Sequence, residues 1–259
     1  MSIRDEIDLV DNELTKLLEK RYELVEEVAK AKLLSGAPVF DSAREEAVLE
    51  RVKGMVSNPA YKEYITGTYS EIMRISKDFQ SKYISVRQSK IRKIVLIGMP
   101  GCGKTTLGRE LAARTGLDFE DSDEAFTKEV GITPGDYITA EGEEAFREAE
   151  SRIIAGLAEK DRIVVALGGG AVTRDENYEA LAGEGTLFVY LRRDKDKLET
   201  AGRPLSLTKG VDRLLDEREP LYSRWADLVL ENMDVDCAVW VLTKRLLKEA
   251  LKNRPEHKQ

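Results

Sequence analysis

The stretch "IVLIGMPGCGKTTLG", residues 94–108, decides the fold of the larger part of this chain. A short β-rich run leads into glycines and then into a segment of helical pattern. Gly98, Gly103, Lys104 and Thr105 form the spacing G-x-x-x-x-G-K-T. Glycines let backbone N–H groups wrap around a phosphate, and the N-terminus of the following helix adds positive potential. The stretch therefore predicts a strand, a phosphate-binding loop and a helix.

Further β-rich runs accompany this first one, "KIVLIG" (93–98), and segments of helical pattern separate them. They are "LDFED" (117–121), "RIVVALGGG" (162–170), "TLFVYLR" (186–192) and "ADLVLE" (226–231). Strands that alternate with helices favour a parallel sheet with right-handed crossovers. We expect residues 93–259 to form an α/β domain with a five-stranded parallel sheet.

The N-terminal part follows a different pattern, with no period-two alternation and few glycines. It predicts three helices. The first runs from about Ile3 to Leu34, and the second starts at "DSAREE" (41–46). The third follows "SNPAYKEY" (57–64) and reaches about Tyr83.

Apolar residues of the first helix recur at alternating spacings of four and three, and Arg21 interrupts their row. The row is Ile3, Ile7, Val10, Leu14, Leu17, Leu24 and Val28. A helix of about 30 residues spans about 45 Å, too long for two shorter helices of the same chain to cover. We expect an all-α three-helix domain over residues 1–85 that forms an intertwined homodimer, followed by a linker at 86–92.

Composition and charge restrict the classes of function. The 41 basic and 48 acidic residues give a net charge of −7, which argues against nucleic-acid binding. Apolar runs are too short to span a membrane, and charges interrupt the first twenty residues, unlike a signal peptide. Cys102 and Cys237 are too few for a disulfide framework, and the single histidine, His257, gives zinc chemistry no support. We expect a cytoplasmic protein.

Charged residues and glycines follow the predicted strands in an order that is more specific than the phosphate loop. "DFEDSD" carries Asp121 and Asp123, "GEEAFREAE" carries Arg147 and Glu150, and "ALGGGAV" carries Gly168, Gly169 and Gly170. "GRPL" brings Arg203, and "EREPLY" brings Arg218. In this order, from about Ile94 to Leu251, the chain resembles shikimate kinase.

The resemblance implies a role for each matching residue, with ATP and Mg²⁺ as cofactors. ATP is held by the loop residues Gly98, Gly101, Cys102, Gly103, Lys104, Thr105 and Thr106, and Mg²⁺ by Thr105 and Asp121. Asp123 binds the acceptor hydroxyl and takes its proton. Arg147 and Arg218 clamp the substrate carboxylate, while Gly169 and Gly170 approach the ring hydroxyls by their backbone. Arg203 lies in a lid and neutralises charge on the transferred phosphoryl group.

The helical domain also carries candidate binding residues. Arg21 and Lys32 are eleven residues apart, so they differ by about 20° around the helix and lie about 16 Å apart along it. Arg4 lies about 100° away from Arg21, so in an antiparallel dimer it serves the partner's site. Asp41, Arg44 and Glu45 share a face of the second helix, and Ser76 and Gln80 share a face of the third.

This arrangement resembles the all-helical class of chorismate mutases over residues 3–83. The resemblance implies that Arg21 and the partner's Arg4 bind two carboxylates, with Arg44 assisting, and that Lys32 and Gln80 donate to the ether oxygen. It also implies that Glu45 and the backbone of Asp41 hold the ring hydroxyl and that Ser76 lines the pocket. The rearrangement of chorismate to prephenate needs cationic and amide donors and no cofactor.

The sequence supports a bifunctional enzyme of aromatic amino-acid biosynthesis, and it leaves alternatives open. The helices could form a dimerisation or ligand-sensing module without catalysis, and the kinase could act on another small hydroxylated acid or on a nucleotide. Single motifs also have structural explanations. Asp121 or Ser122 could cap a helix, and Arg147 with Glu150 could be an exposed i,i+3 pair.

Overall fold

The chain divides into two compact units, Met1–Val86 and Arg87–Gln259. In the computed structural model, the residues described are 2–195, 198, 210–231 and 233–252. No helix among these residues is both long enough and apolar enough to cross a membrane.

The first unit is built from three long helices, as the sequence predicts. They are α1 (Ile3–Ser35), α2 (Ser42–Met55) and α3 (Lys62–Gln88), with a 3₁₀ turn at Pro59–Tyr61 before α3. The third helix extends five residues beyond its expected end at Tyr83, because neither glycine nor proline interrupts residues 84–88. Residues 86–88 of the expected linker are therefore helical.

Each end of α1 is fixed by its own sequence. The Ser2 hydroxyl accepts from the Asp5 N–H at 3.2 Å, and the Asp5 carboxylate accepts from the Ser2 N–H at 2.6 Å. Gly36 ends the helix with a left-handed backbone, φ 69°. Helix α1 packs on α3 through Ala29, Tyr83 and Ile84.

One face of α1 has no cover within its own unit. The side chains of the predicted apolar row are exposed, from 79% at Ile3 to 46% at Val28. The members are Ile3, Ile7, Val10, Leu14, Leu17, Leu24 and Val28. An apolar row of this length is unusual on the surface of a soluble monomer.

The second unit contains the expected five-stranded parallel sheet. Its strands are β1 (Lys93–Ile97), β2 (Asp118–Asp121), β3 (Ile163–Ala166), β4 (Thr186–Arg192) and β5 (Leu228–Glu231), in the order β2-β3-β1-β4-β5. All four pairings are parallel. The central strands are apolar and buried, which is typical of a sheet covered on both faces.

Helices connect these strands. They are α4 (Lys104–Thr115), α5 (Ser122–Val130), α6 (Pro134–Glu141), α7 (Glu143–Ala158), α8 (Asp175–Leu181), α9 (Val211–Trp225) and α10 (Val235–Lys252), with a 3₁₀ turn at Ala171–Thr173. Since all strands are parallel, the loops after β1, β2 and β3 meet at one edge of the sheet. That edge is the usual place for a ligand in an open α/β fold.

Candidate active sites

The phosphate loop joins β1 to α4, and its glycines adopt a backbone that side chains disfavour. Gly98, Gly101 and Gly103 have φ values of 142°, 82° and 94°. A Cβ at Gly98 would also lie 2.6 Å from the Leu191 carbonyl oxygen. The buried Lys104 Nζ donates to the carbonyls of Gly98 at 2.8 Å and Met99 at 2.9 Å. The loop is therefore closed around its own lysine.

The end of β2 is linked to the start of α4 through Asp121. Thr105 Oγ1 donates to Asp121 Oδ2 at 2.7 Å, while Asp121 Oδ1 accepts from the Asp123 N–H at 2.9 Å and caps α5. Asp121 therefore caps α5, as the structural explanation predicts, and its other carboxylate oxygen contacts Thr105. Hydroxyl and carboxylate oxygens suit Mg²⁺, which keeps several waters and binds with phosphates. The described residues contain no cluster of three or more His, Cys, Asp or Glu that could hold a metal on its own.

A cavity of about 1050 Å³ opens at this edge of the sheet. Most of the residues predicted from the sequence line it together, although they come from five separate segments. They are Gly101, Cys102, Gly103, Lys104, Thr105, Thr106, Asp121, Asp123, Arg147, Gly169, Gly170 and Arg218. Gly98 does not line the cavity, although its carbonyl accepts from Lys104 Nζ. Arg203 falls outside the residues that the structure describes.

Arg147 and Glu150 form a buried ion pair on α7, which contradicts the alternative explanation of an exposed i,i+3 pair. Arg147 Nη1 donates to Glu150 Oε2 at 2.6 Å, and their side chains are only 7% and 3% exposed. Burial raises the pKa of Glu150, while Arg147 opposes that shift. Glu150 Oε1 is buried and has no hydrogen-bond partner in the structure. A buried oxygen without a hydrogen-bond partner lowers the free energy of unfolding. Glu150 Oε1 therefore remains available as an acceptor in this site.

The three glycines after β3 are tightly surrounded by the predicted side chains. A Cβ at Gly168 would lie 2.6 Å from Glu150 Oε1 and 2.7 Å from Asp123 Oδ1. At Gly169 it would lie 2.5 Å from Pro100 Cδ, and at Gly170 it would overlap the Arg147 guanidinium. A side chain at Gly168 or Gly170 would therefore displace Glu150, Asp123 or Arg147, and one at Gly169 would meet the rigid Pro100 ring.

Asp123 lines the cavity, and its side chain is open to it. Burial by the surrounding walls raises the pKa of Asp123 to about 7, and the nearby carboxylates of Asp121 and Glu150 add to the shift. Lys104 and Arg147 oppose it. A carboxyl group poised near neutrality suits a proton acceptor.

Two residues that support this site were not identified from the sequence. Ser122 Oγ accepts from the Gly168 N–H at 2.8 Å, which ties the end of β2 to the glycine turn. The Tyr222 hydroxyl donates to the Gly169 carbonyl at 2.5 Å. Tyr222 lies four residues after Arg218, and helical periodicity places both on one face of α9. This spacing is the sequence signal that could have identified Tyr222.

In the first unit, the structure brings together Arg21, Ser76 and Gln80. Arg21 Nη1 donates to Ser76 Oγ at 2.5 Å across α1 and α3. Gln80 Nε2 donates to the Ser76 carbonyl at 3.3 Å, and Gln80 Oε1 is buried without a partner. Arg21 has a hydroxyl as its partner in the described chain, and a hydroxyl does not neutralise a guanidinium.

The other predicted residues of this unit are less closely assembled. Lys32 Nζ donates to the Val39 carbonyl at 2.8 Å, and the Asp41 carboxylate caps α2 by accepting from the Arg44 N–H. The side chains of Arg4 and Arg44 are exposed.

Glu45 has a partner that the sequence did not suggest. Lys77 Nζ lies 3.0 Å from Glu45 Oε2, and both side chains are about two thirds or more shielded from solvent. Lys77 Nζ also lies 5.1 Å from the centre of the Phe40 ring.

Comparison with known proteins assigns a family to each of the two regions. Residues 100–243 match the family model of shikimate kinase, and residues 3–81 match that of chorismate mutase type II. A shikimate kinase of Legionella pneumophila is 42% identical over 152 residues, which cover 55% of this chain and 86% of the relative. One from Chromobacterium violaceum is 38% identical over 171 residues, covering 62% and 91%.

A solved structure shows the same fold for the second unit. The shikimate kinase of Acinetobacter baumannii, in complex with shikimate, superposes with a TM-score of 0.54 and 31% identity over 66% of this chain and 99% of that protein. This chain belongs to the shikimate kinase family and carries a chorismate mutase type II region ahead of its kinase region.

Proposed function

We propose that this protein is a bifunctional enzyme of the shikimate pathway. Its first unit rearranges chorismate to prephenate, and its second unit transfers a phosphoryl group from ATP to the 3-hydroxyl of shikimate. The observation that carries the proposal is the joint occurrence of the two family regions in one chain, each with the charged residues that its reaction needs.

In the kinase unit, the residues supply position and charge compensation, which phosphoryl transfer requires more than a strong nucleophile. ATP brings the phosphoryl group, and Mg²⁺ neutralises part of its charge. Lys104 lies in the loop where it can exchange its two carbonyl partners for phosphate oxygens. Thr105 Oγ1 and Asp121 Oδ2 lie 2.7 Å apart, and these two side chains would hold Mg²⁺ directly or through water. Arg203 acts on the phosphoryl group from the segment after β4.

The acceptor side of the kinase site depends on Asp123 and two arginines. The ionised Asp123 carboxylate accepts the proton of the attacking hydroxyl. Arg147 and Arg218, both buried in the cavity wall, clamp the shikimate carboxylate. A planar guanidinium suits this task because it can bind a carboxylate with two parallel hydrogen bonds. Glu150 fixes the Arg147 guanidinium, and the backbone of Gly169 and Gly170 meets the ring hydroxyls.

In the mutase unit, catalysis consists of holding the reactive conformer of chorismate and stabilising charge on the breaking C–O bond. Arg21 binds a carboxylate, and Lys32 and Gln80 donate to the ether oxygen. For this, Lys32 leaves the Val39 carbonyl and Gln80 presents its amide N–H. Glu45 and Asp41 bind the hydroxyl, with Ser76 between Arg21 and Gln80 and Arg44 at the rim.

The mutase proposal includes a homodimer. The exposed apolar row of α1 gives a second copy a surface to cover, and Arg4 on the same helix reaches the partner's site. We also propose that the enzyme works in the cytoplasm.

The test is to assay both reactions with the intact protein. Prephenate should form from chorismate without metal or nucleotide, and shikimate 3-phosphate should form from shikimate only with ATP and Mg²⁺. A folded dimer that makes no prephenate would reduce the helical unit to a dimerisation or sensing module. ATP turnover that does not respond to shikimate would instead indicate another acceptor.

A further inference from the structure

Tyr222 is a buried residue to which the proposed kinase mechanism gives no role. It lies on α9 with Leu214 and Arg218, at spacings of four residues that place all three on one face of the helix. Leu214 and Arg218 line the cavity. Tyr222 lies one turn further along, with no measurable exposure. A tyrosine hydroxyl in such a place needs a partner.

The partner is the carbonyl of Gly169, at 2.5 Å from the Tyr222 hydroxyl oxygen. Met99 Sδ of the phosphate loop lies 3.8 Å from the same hydroxyl. On its other side, Gly169 is packed against Pro100, so closely that a Cβ would lie 2.5 Å from Pro100 Cδ. The glycine turn is thus held between α9 and the phosphate loop.

The Gly169 carbonyl and the Gly170 N–H belong to one planar peptide group and point in opposite directions. A donor that fixes the carbonyl therefore fixes the direction of the N–H. Among the described residues, no atom accepts a hydrogen bond from the Gly170 N–H. Gly170 lines the cavity beside Arg147, so its free N–H is a donor for a ligand there.

The state of the Tyr222 hydroxyl is fixed as well. Burial raises the pKa of Tyr222 far above its ordinary value, although Arg218 opposes the shift. The hydroxyl therefore stays protonated and remains a donor at any working pH.

We propose that Tyr222 is a positioning residue for the acceptor substrate: its hydroxyl orients the Gly169–Gly170 peptide so that the Gly170 N–H meets a ring hydroxyl of the substrate. This inference rests on the proposed shikimate kinase function. It assigns Tyr222 to the acceptor half of the site and not to the ATP half, although Met99 is nearby.

The experiment compares Tyr222→Phe with wild type and with Tyr190→Phe. The two rings stack with centroids 5.0 Å apart, both are buried, and in the described chain only the Tyr222 hydroxyl donates to Gly169. We expect Tyr222→Phe to raise KM for shikimate about tenfold, the usual effect of losing one well-placed hydrogen bond. Its kcat and its KM for ATP should stay within about twofold of wild type. Tyr190→Phe should leave all three constants unchanged.

Arg218 is one turn from Tyr222, so a second probe separates the glycine turn from the carboxylate clamp. Cyclohexene-1-carboxylate keeps the carboxylate of shikimate and lacks its ring hydroxyls. Its inhibition constant should be equal in wild type and Tyr222→Phe. A tenfold higher inhibition constant in the variant would show that the substitution disturbs Arg218, and it would overturn the proposal.

A donor at position 222 should restore function. With 4-aminophenylalanine in place of Tyr222, an N–H can still donate to Gly169, and KM for shikimate should return to within about threefold of wild type. This variant decides the question even if Tyr222→Phe does not fold. An unchanged KM in Tyr222→Phe, or equal rises of KM for shikimate and ATP, would overturn the assignment. A wild-type enzyme that does not phosphorylate shikimate would refute the proposed function instead.

Discussion

The two candidate sites differ in how much of each is assembled within one chain. In the kinase unit, residues from five segments surround a single cavity, and a buried ion pair with an unpaired Glu150 oxygen already stands in its wall. In the helical unit, Arg21, Ser76 and Gln80 are in contact, while Arg4 and Arg44 are exposed. A site at the edge of a parallel sheet is completed by its own loops. For the site along α1, we propose that a second copy covers the exposed apolar row and completes the site.

The comparison predicts, first, that the two activities can be removed separately. Lys104→Ala should lower kcat/KM of the kinase at least about a thousandfold, because it removes the cation that compensates phosphate charge. Prephenate formation should stay within about twofold of wild type. Lys160→Ala changes an exposed lysine of the same unit, paired with Glu120, and should leave both rates unchanged. Loss of both activities in folded Lys104→Ala would show that the sites are not independent.

Lys32→Ala should have the reverse effect: it should lower mutase activity and spare the kinase, with a somewhat smaller loss of rate. Loss of one donor to the developing negative charge should slow prephenate formation by about 10² to 10³, measured by the loss of chorismate absorbance. Lys30→Ala is the matched control, since Lys30 lies two residues away on α1 and pairs with Glu26 and Glu27. Kinase activity should persist in both variants. A mutase rate in Lys32→Ala close to that of Lys30→Ala would exclude Lys32 from the reaction.

The proposal that a second copy covers the apolar row of α1 can be tested at Leu17, which is 66% exposed. Leu17→Glu should shift the protein to monomer in analytical ultracentrifugation and lower mutase activity about a hundredfold, because a charge cannot be buried in an apolar seam without a partner. The kinase should be unaffected. Lys20→Glu also introduces an acid into α1, outside the apolar row, and should stay dimeric. A monomer with full mutase activity would contradict the shared site.

The smallest effect is a pH dependence of the kinase alone. The ionised form of Asp123 accepts the proton, and its pKa of about 7 means that this form is lost as the pH falls through neutrality. The kcat/KM for shikimate should therefore drop about tenfold from pH 8 to pH 6, following one ionisation. Mutase activity in the same buffers checks that the protein stays folded. A profile that is flat over this range would assign the proton to another group.

Much of this architecture was accessible from local sequence. The five strands and the phosphate loop follow from apolar runs and glycine spacing, and parallel strands bring the residues that follow them to one edge. The apolar row of α1 follows from the alternating spacing of four and three residues. These signals act over a few residues, which is the range over which backbone geometry fixes side-chain direction.

Contacts between distant residues were not accessible in this way. Lys77 meets Glu45 across 32 positions, and Tyr222 meets Gly169 across 53. The pair Arg147–Glu150 was visible, but its i,i+3 spacing is the same in solvent and in a core, so its burial was missed. Tertiary packing decides which distant residues meet and whether a pair is buried, and this packing cannot be derived from the local pattern of a single sequence.

The crowding around Gly168, Gly169 and Gly170 has a consequence for mutational tolerance. The atoms that exclude a side chain at these positions belong to Glu150, Asp123, Pro100 and Arg147. A methyl group at one of these glycines would displace such side chains of the site, while β3, which precedes the turn, would stay in place. Substitutions in this turn should therefore yield protein that accumulates normally and fails in turnover, so that only selection for catalysis would detect them.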